Sequence, residues 1–403
     1  MKTKATKMIK SILENNIPGQ SVEKALQNHN FKGNIHLISI GKAAWTMAQA
    51  ASNFLGDQLI KGIVVTKYDH SQGLLPRIDI YEAGHPVSDE NTILATEECI
   101  KLAKSLTADD ELLFLISGGG SALFESPLPG LTLTDIQDVT SQFLAKGADI
   151  VEINTVRKRL SKVKAGRFAQ LAAPAKVFSI VLSDVLGDRL DSIASGPAYA
   201  DSSTLEDALK IVEKYKIKLP NITMEETPKE ISNVETVITG SVRTLCDAAA
   251  EAAKQLGYKP YILSTTLNCE AREAGRFLAS IAADNSFKKP CAIIVGGETV
   301  VTIKGNGKGG RNQELALSAA KGIDGLNGIL IFSLGSDGTD GPTDAAGGMV
   351  DGQSLEKLRR LGLDIDKILA NNDSYNGLKA IDGLIITGPT GTNVNDVSII
   401  LCE

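Results

Sequence analysis

The sequence predicts an α/β protein of two domains, the first built on a mostly parallel sheet with helices on both faces. Three observations carry that expectation. Short apolar runs alternate with helix-period segments along nearly the whole chain, which is the pattern of βαβ units. At 403 residues the chain is long for one hydrophobic core and comfortable for two. Glycine-rich polar strings follow directly on several apolar runs, where open α/β sheets place their ligand loops.

Taken in order, Ile35–Ile40 reads as a strand, Ala43–Leu55 as a helix and Gly62–Thr66 as a strand. Asp89–Leu106 reads as a helix with Ser88 as its N-cap. Leu112–Ser117 is a strand, Thr134–Lys146 and Ile153–Ala173 are helices, and Lys176–Ser183 is a strand. Between Asp201 and Val234 the pattern weakens, with prolines, many charges and no clear period, so a domain junction is expected there. The domains are accordingly set at residues 1–232 and 233–403. Beyond the junction, Thr236–Thr239, Tyr261–Ser264, Cys291–Val295, Thr299–Ile303, Gly328–Ser333, Gly383–Thr387 and Val397–Leu401 read as strands. Val242–Leu256, Glu270–Ala283, Asn312–Lys321 and Ser354–Leu361 read as helices, which makes the second half another α/β domain.

Composition narrows the function classes. A net charge of −6 with no long basic block argues against nucleic-acid binding. The five cysteines form no C-x-x-C pair, which fits a reducing compartment, and the cytoplasm is the default expectation. No apolar run reaches the roughly 18 residues of a membrane span, and the first residues lack a signal-peptide core. The densest basic stretch, Arg157-Lys158-Arg159 with Lys162 and Lys164, reads first as a solvated helix face.

The strings that carry chemistry cluster after strands. In LSDVLGDRLDSIASGP (182–197), Asp184, Asp188 and Asp191 follow a strand directly, and carboxylates so placed hold a metal or move a proton. In SIGKAAW (39–45), Lys42 sits at a strand-to-helix turn, within reach of an anion at the helix N-terminus. In SGGGSAL (117–123), Gly118, Gly119 and Gly120 permit a nest of inward amides, and Ser117 and Ser121 add hydroxyls. Asn154 and Arg157 lie one turn apart on one face and can reach a carboxylate or phosphate. GNGKGGRNQE (305–314) holds Gly307, Gly309 and Gly310. It reads as a phosphate cradle rather than a dinucleotide turn, with Arg311 able to clamp a phosphate in a planar fork. Asp337, Asp340 and Asp344 fail the EF-hand spacing, and a role in substrate or metal binding is expected of them. Thr390, Thr392 and Asn393 are given no role. Walker, protein-kinase and nucleophile-elbow strings are absent.

Taken together, GKAA, GHPVSD, SGGGSAL, INTVRKRLSKVKAGR, LSDVLGDRLDSIASGP, GGET, GKGGRNQE, DGTDGPTDAAG and GPTGTNVND resemble, in order, the glycerate 2-kinase family, whose C-terminal region is called MOFRL. The resemblance implies ATP-dependent phosphorylation of D-glycerate at its 2-hydroxyl, giving 2-phosphoglycerate and ADP with Mg²⁺ or another divalent cation. It also implies a Rossmann-like N-terminal domain, a MOFRL-type C-terminal domain and an active site in the cleft between the two. Lys42 and Arg311 match the family's key polar residues.

On this reading Lys42 and Arg311 neutralise the transferring phosphoryl group. Ser117–Ser121 with Gly307, Gly309 and Gly310 cradle phosphates, and Asn154, Arg157, Asp337 and Asp340 bind substrate. Asp184, supported by Asp188, either ligates the metal or takes the hydroxyl proton. The expected partners are small molecules, with no nucleic acid and no membrane, and homo-oligomerisation stays open. Two other classes remain: a nicotinamide-dependent hydroxypyruvate reductase, for which the SIGKAA turn lacks the glycine pattern, and a non-catalytic sensor, which would need an effector element.

Overall fold

A computed structural model describes residues 1–183, 185–284 and 287–403. It divides into two compact units, Pro18–Thr239 and a second made of Met1–Ile17 with Gly240–Glu403.

The first unit carries six strands: β1 (Asn34–Ile40), β2 (Leu59–Lys67), β3 (Ile78–Ala83), β4 (Asp110–Ile116), β5 (Lys176–Leu182) and β6 (Val234–Gly240). Their order is β3-β2-β1-β4-β5-β6, the Rossmann order, and β1 to β5 pair in parallel. Burial on both faces explains the unbroken apolar runs. Ile38, Ile40, Leu112, Phe114 and Ile116 face one core with the helices Glu90–Ser105 and Arg167–Ala172. Leu37, Leu113 and Leu115 face the opposite core with the helices Pro18–Gln27 and Ala44–Leu55.

The second unit holds β7 (Lys259–Leu267), β8 (Cys291–Gly297), β9 (Ile329–Gly335), β10 (Gly347–Asp351), β11 (Leu384–Ile385) and β12 (Asp396–Cys402), in the order β11-β10-β9-β12-β8-β7. Only β7 and β8 pair in parallel; the other pairs are antiparallel. The N-terminal helix Lys2–Glu14 buries Ala5, Met8, Ile9 and Ile12, a single stripe at helical spacing, and packs on the helix Val242–Gln255.

Several expectations are corrected. The first unit runs past residue 232 because β6 completes its sheet, and the first 17 residues belong to the other unit. Asp89, not Ser88, caps its helix by accepting the Thr92 amide at 2.9 Å. The expected helix 153–173 is broken: a helix Ile150–Arg157 ends in a tight turn, and Ala165 (φ 55°) and Gly166 (φ 79°) separate it from Arg167–Ala172. The stretch read as a junction contains the helix Leu205–Lys214, capped by Thr204. Residues 299–303 form no strand; Val300 makes only an isolated bridge to Glu270.

Among the described residues, no helix is long and apolar enough to cross a membrane. All five cysteines are free thiols.

Candidate functional site

Strand order in the first unit reverses between β1 and β4, so the loops leaving these two strands open a crevice at the carboxyl edge of the sheet. Gly41–Lys42 follows β1, and Ser117–Gly120 follows β4. The two turns are stitched together. The Ser117 amide donates to the Ile40 carbonyl at 2.9 Å, the Ser117 hydroxyl donates to the same carbonyl at 3.0 Å, and the Ala43 amide donates to Ser117 Oγ at 3.1 Å. The Lys42 amide donates to the Gly118 carbonyl at 2.8 Å. Gly118 and Gly119 spend their own amides on no acceptor among the described residues, and Gly119 adopts φ 85°. Two successive amides of SGGGSAL thus stay available in this turn, as an anion nest requires.

The Lys42 ammonium makes no ion pair or hydrogen bond among the described residues, although the side chain is half-buried. A cation with no partner among the described residues, beside free amides, is a setting that favours an anion. His85 lies on the same spot. A Cβ on Gly119 would come within 3.0 Å of the His85 ring and 3.2 Å of Lys42 Cγ.

The turn opens on a cavity of about 500 Å³ lined by His85, Gly119, Ser121, Asn154, Arg157 and Lys158, among others. Asn154 and Arg157 are thus brought together as expected, and Asn154 Oδ1 and Arg157 Nε are buried without hydrogen-bond partners. Ser121 Oγ lies 3.0 Å from Ser195 Oγ. Asp188 stands near this cavity's rim residues Val185 and Arg189 in sequence, at φ 53°. Asp184 lies outside the described residues.

The basic run is not a solvated face. Lys158 pairs with Asp201 at 3.0 Å, and Arg159, fully buried, lies 3.6 Å from Asp201 and 2.9 Å from Glu226. Lys164 is also fully buried. It donates to the carbonyls of Ser121 (2.9 Å) and Phe124 (3.1 Å), and it lies 3.4 Å from the Glu125 carboxylate, which Arg157 approaches at 3.7 Å. Burial pushes the Lys164 ammonium down to about 8 despite Glu125. These lysines and arginines pin the floor of the cavity and the end of the glycine turn.

The remaining candidates gather in the second unit, around a cavity of about 530 Å³ lined by Gly307, Gly309, Gly310, Arg311, Asp337 and Asp340, with Val300 and Ile303. Here the structure changes several roles. The Gly307 amide donates to the Asn371 carbonyl at 2.9 Å and the Lys308 amide to Asp373 at 2.9 Å, so this part of the loop is fastened to the chain rather than open to an anion. Gly307 answers a close approach, since a Cβ would lie 2.7 Å from Asp373 Cα. Asp340 is a helix cap. Its carboxylate accepts the amides of Asn312 (3.2 Å) and Gln313 (2.8 Å) at the start of the helix Arg311–Gly322, plus Gln313 Nε2 at 3.0 Å. The Gly309 and Gly310 amides have no acceptor among the described residues.

Arg311 is not a free clamp either. It binds Asp396 in bidentate fashion (2.6 and 3.1 Å) and Glu298 at 2.7 Å. Burial pushes the Asp396 carboxyl up to about 6, against the pull of Arg311. Asp337 lines the cavity and accepts the Thr339 amide at 2.9 Å. Sequence reasoning missed His85, Lys164, Glu125 and Asp396. GHPVSD was the one local signal for His85; the others are recognisable only through partners distant in sequence.

Among the described residues, no group of three or more His, Cys, Asp or Glu side chains is placed to hold a metal ion.

Comparison with known proteins agrees with this architecture. Residues 4–226 match the family described as a domain of unknown function, DUF4147, and residues 291–396 match the MOFRL family. A D-glycerate 2-kinase of Thermotoga maritima is 54% identical, covering 99% of this chain and 98% of that protein. A glycerate 2-kinase of Pyrococcus horikoshii is 45% identical over 91% of this chain and 87% of its own. The crystal structure of a Thermotoga maritima glycerate kinase, 54% identical, superposes with a TM-score of 0.97 over 100% of this chain and 99% of that one.

Proposed function

The chain belongs to the glycerate 2-kinase family, and we propose that it transfers the γ-phosphoryl group of ATP to the 2-hydroxyl of D-glycerate, giving 2-phosphoglycerate and ADP. The observation that carries this reading is the Lys42 ammonium, unpaired among the described residues, beside the open amides of Gly118 and Gly119 at the β1/β4 switch point. Phosphoryl transfer asks a protein for positioning and charge neutralisation rather than covalent chemistry, and this turn offers both.

Within the first unit, Lys42 and the Ser117–Ser121 turn receive the transferring phosphoryl group. Asn154 and Arg157 receive the substrate carboxylate in the cavity beside it. Within the second unit, the free amides of Gly309 and Gly310 receive a nucleotide oxyanion, with Arg311 at their side. Asp337 remains a proposed substrate contact. Mg²⁺ is proposed as the counter-ion of ATP, where it offsets charge on the phosphates. That role needs one or two carboxylates plus the phosphates, not an all-protein cage, and no step is assigned to it. Asp188 is a carboxylate available for that purpose, and the protein is proposed to work in the cytoplasm.

A coupled assay tests the reading: D-glycerate, ATP and Mg²⁺ with enolase, pyruvate kinase and lactate dehydrogenase, run with and without enolase. An enolase-dependent signal without added mutase identifies 2-phosphoglycerate. A signal that appears only after adding phosphoglycerate mutase would assign transfer to the 3-hydroxyl instead, and absence of ADP would refute the kinase reading for this substrate.

A further inference from the structure

The chain's four histidines are not equivalent. His29 Nε2 lies 2.6 Å from Glu111, His36 Nε2 lies 3.5 Å from Asp110, and His70 Nδ1 lies 3.1 Å from the Lys42 carbonyl. His85 alone makes no hydrogen bond or ion pair among the described residues, although it is half-buried. An imidazole with no partner among the described residues, set on the wall of a cavity, keeps a lone pair available for a ligand.

Its position says what that is. The ring lines the same cavity as Asn154 and Arg157, whose polar atoms are also unpartnered. It also lies against the backbone of Gly119, where any Cβ would meet it at 3.0 Å. One edge of the ring is thus near the turn proposed to hold the phosphoryl group, and the cavity it faces is the one proposed to hold glycerate.

We propose that His85 is the proton acceptor for the attacking hydroxyl. This rests on the kinase reading above. As the glycerate oxygen forms its bond to Pγ, its O–H proton passes to the free imidazole nitrogen. The bond from Pγ to the β–γ bridging oxygen breaks, and its electron pair leaves with ADP. The imidazolium then returns its proton to solvent.

The electrostatic setting agrees. Burial, then Lys42, Lys67 and His70, hold the His85 imidazole below its ordinary value of 6.5, and no carboxylate among the described residues opposes them. The ring is therefore neutral, with its lone pair available, at neutral pH. Protonation on acidification removes that lone pair, so kcat/KM falls as pH falls through the His85 pKa.

The test uses the full-length protein. In the wild type, kcat/KM against pH should show an acid limb with an apparent pKa below about 6.5. His85→Gln and His85→Ala should lower kcat by about 10²–10⁴-fold, leave KM for ATP and D-glycerate nearly unchanged, and lose that limb. Added imidazole should restore turnover to His85→Ala, which a structural role would not produce. Variants that keep the acid limb, or that lose rate only through a raised KM for ATP, would overturn the proposal while the kinase reading stands. Failure of wild-type protein to form 2-phosphoglycerate would instead strike at the reading beneath it.

Discussion

Replacing Gly41 by alanine tests whether the β1/β4 switch point is as tightly built as the structure shows. Gly41 sits at φ 111°, outside even the left-handed helical well, and a Cβ there would lie 2.8 Å from the Ser117 carbonyl carbon and closer still to its carbonyl oxygen and Oγ. Two of the three atoms are backbone, so no rotamer change relieves the clash. Holding a non-glycine residue at such dihedrals costs about 1–3 kcal/mol. The strand ends must also separate, which threatens four hydrogen bonds: Ser117 N and Ser117 Oγ to Ile40 O, Ala43 N to Ser117 Oγ, and Lys42 N to Gly118 O. At a net 0.5–1.5 kcal/mol each, losing half of them adds about 1–3 kcal/mol, for a total of about 2–6 kcal/mol.

Gly56→Ala is the matched control. It too has positive φ (54°) but nothing within 4 Å of the added carbon, so only the backbone cost of about 1–3 kcal/mol applies, with no clash to break hydrogen bonds. Urea unfolding followed by the fluorescence of Trp45, the single tryptophan, reads this unit directly, because Trp45 is buried in the helix that follows the turn. If Gly41→Ala unfolds at the same urea concentration as Gly56→Ala, the packing argument for this turn is wrong.

Lys42 and Arg311 should behave differently when each is replaced by alanine. Lys42→Ala should reduce kcat by 10²-fold or more, on the scale of losing one preorganised charge contact, with its urea midpoint unchanged because the ammonium has no partner among the described residues. Arg311→Ala should reduce kcat and also destabilise by about 2–4 kcal/mol, because the buried Asp396 carboxylate loses its counter-charge; equal midpoints for the two variants in a urea melt would contradict this. For Lys164, the folded pKa near 8 lies below the unfolded value of 10.5. The unfolded state therefore binds more protons between these values, and this group makes stability rise with pH across that window. Urea melts at pH 8 and pH 10 should show that rise in the wild type relative to Lys164→Met; parallel changes in both proteins would show that Lys164 does not titrate there.

What could be read from sequence follows from how local each signal is. β1, β4 and β5 were legible because burial on both faces leaves them continuously apolar. β3 was not, because Asp79 and Glu82 interrupt its run, and β10 was hidden because it begins with Gly347 and Gly348, which resemble the end of a loop. Lys42 and the 117–121 turn were legible because turn chemistry lies within a few residues. The fates of Arg159, Lys164 and Arg311 were not, because a charge declares itself structural only through its partner. Asp201, Glu125 and Asp396 lie roughly 40, 40 and 85 residues away from them along the chain.

The discontinuous second unit sets an order of assembly during synthesis. Pro18–Thr239 is one uninterrupted stretch, complete as soon as β6 has left the ribosome. The helix Lys2–Glu14 is made before that stretch, yet the helix against which it lays its apolar stripe, Val242–Gln255, is translated more than 220 residues later. Until then Ala5, Met8, Ile9 and Ile12 have no native cover. At 5–20 residues per second the nascent chain carries that bare stripe for about 10–50 s. Chaperone demand should therefore fall on the helix Lys2–Glu14 rather than on the chain's most apolar strands.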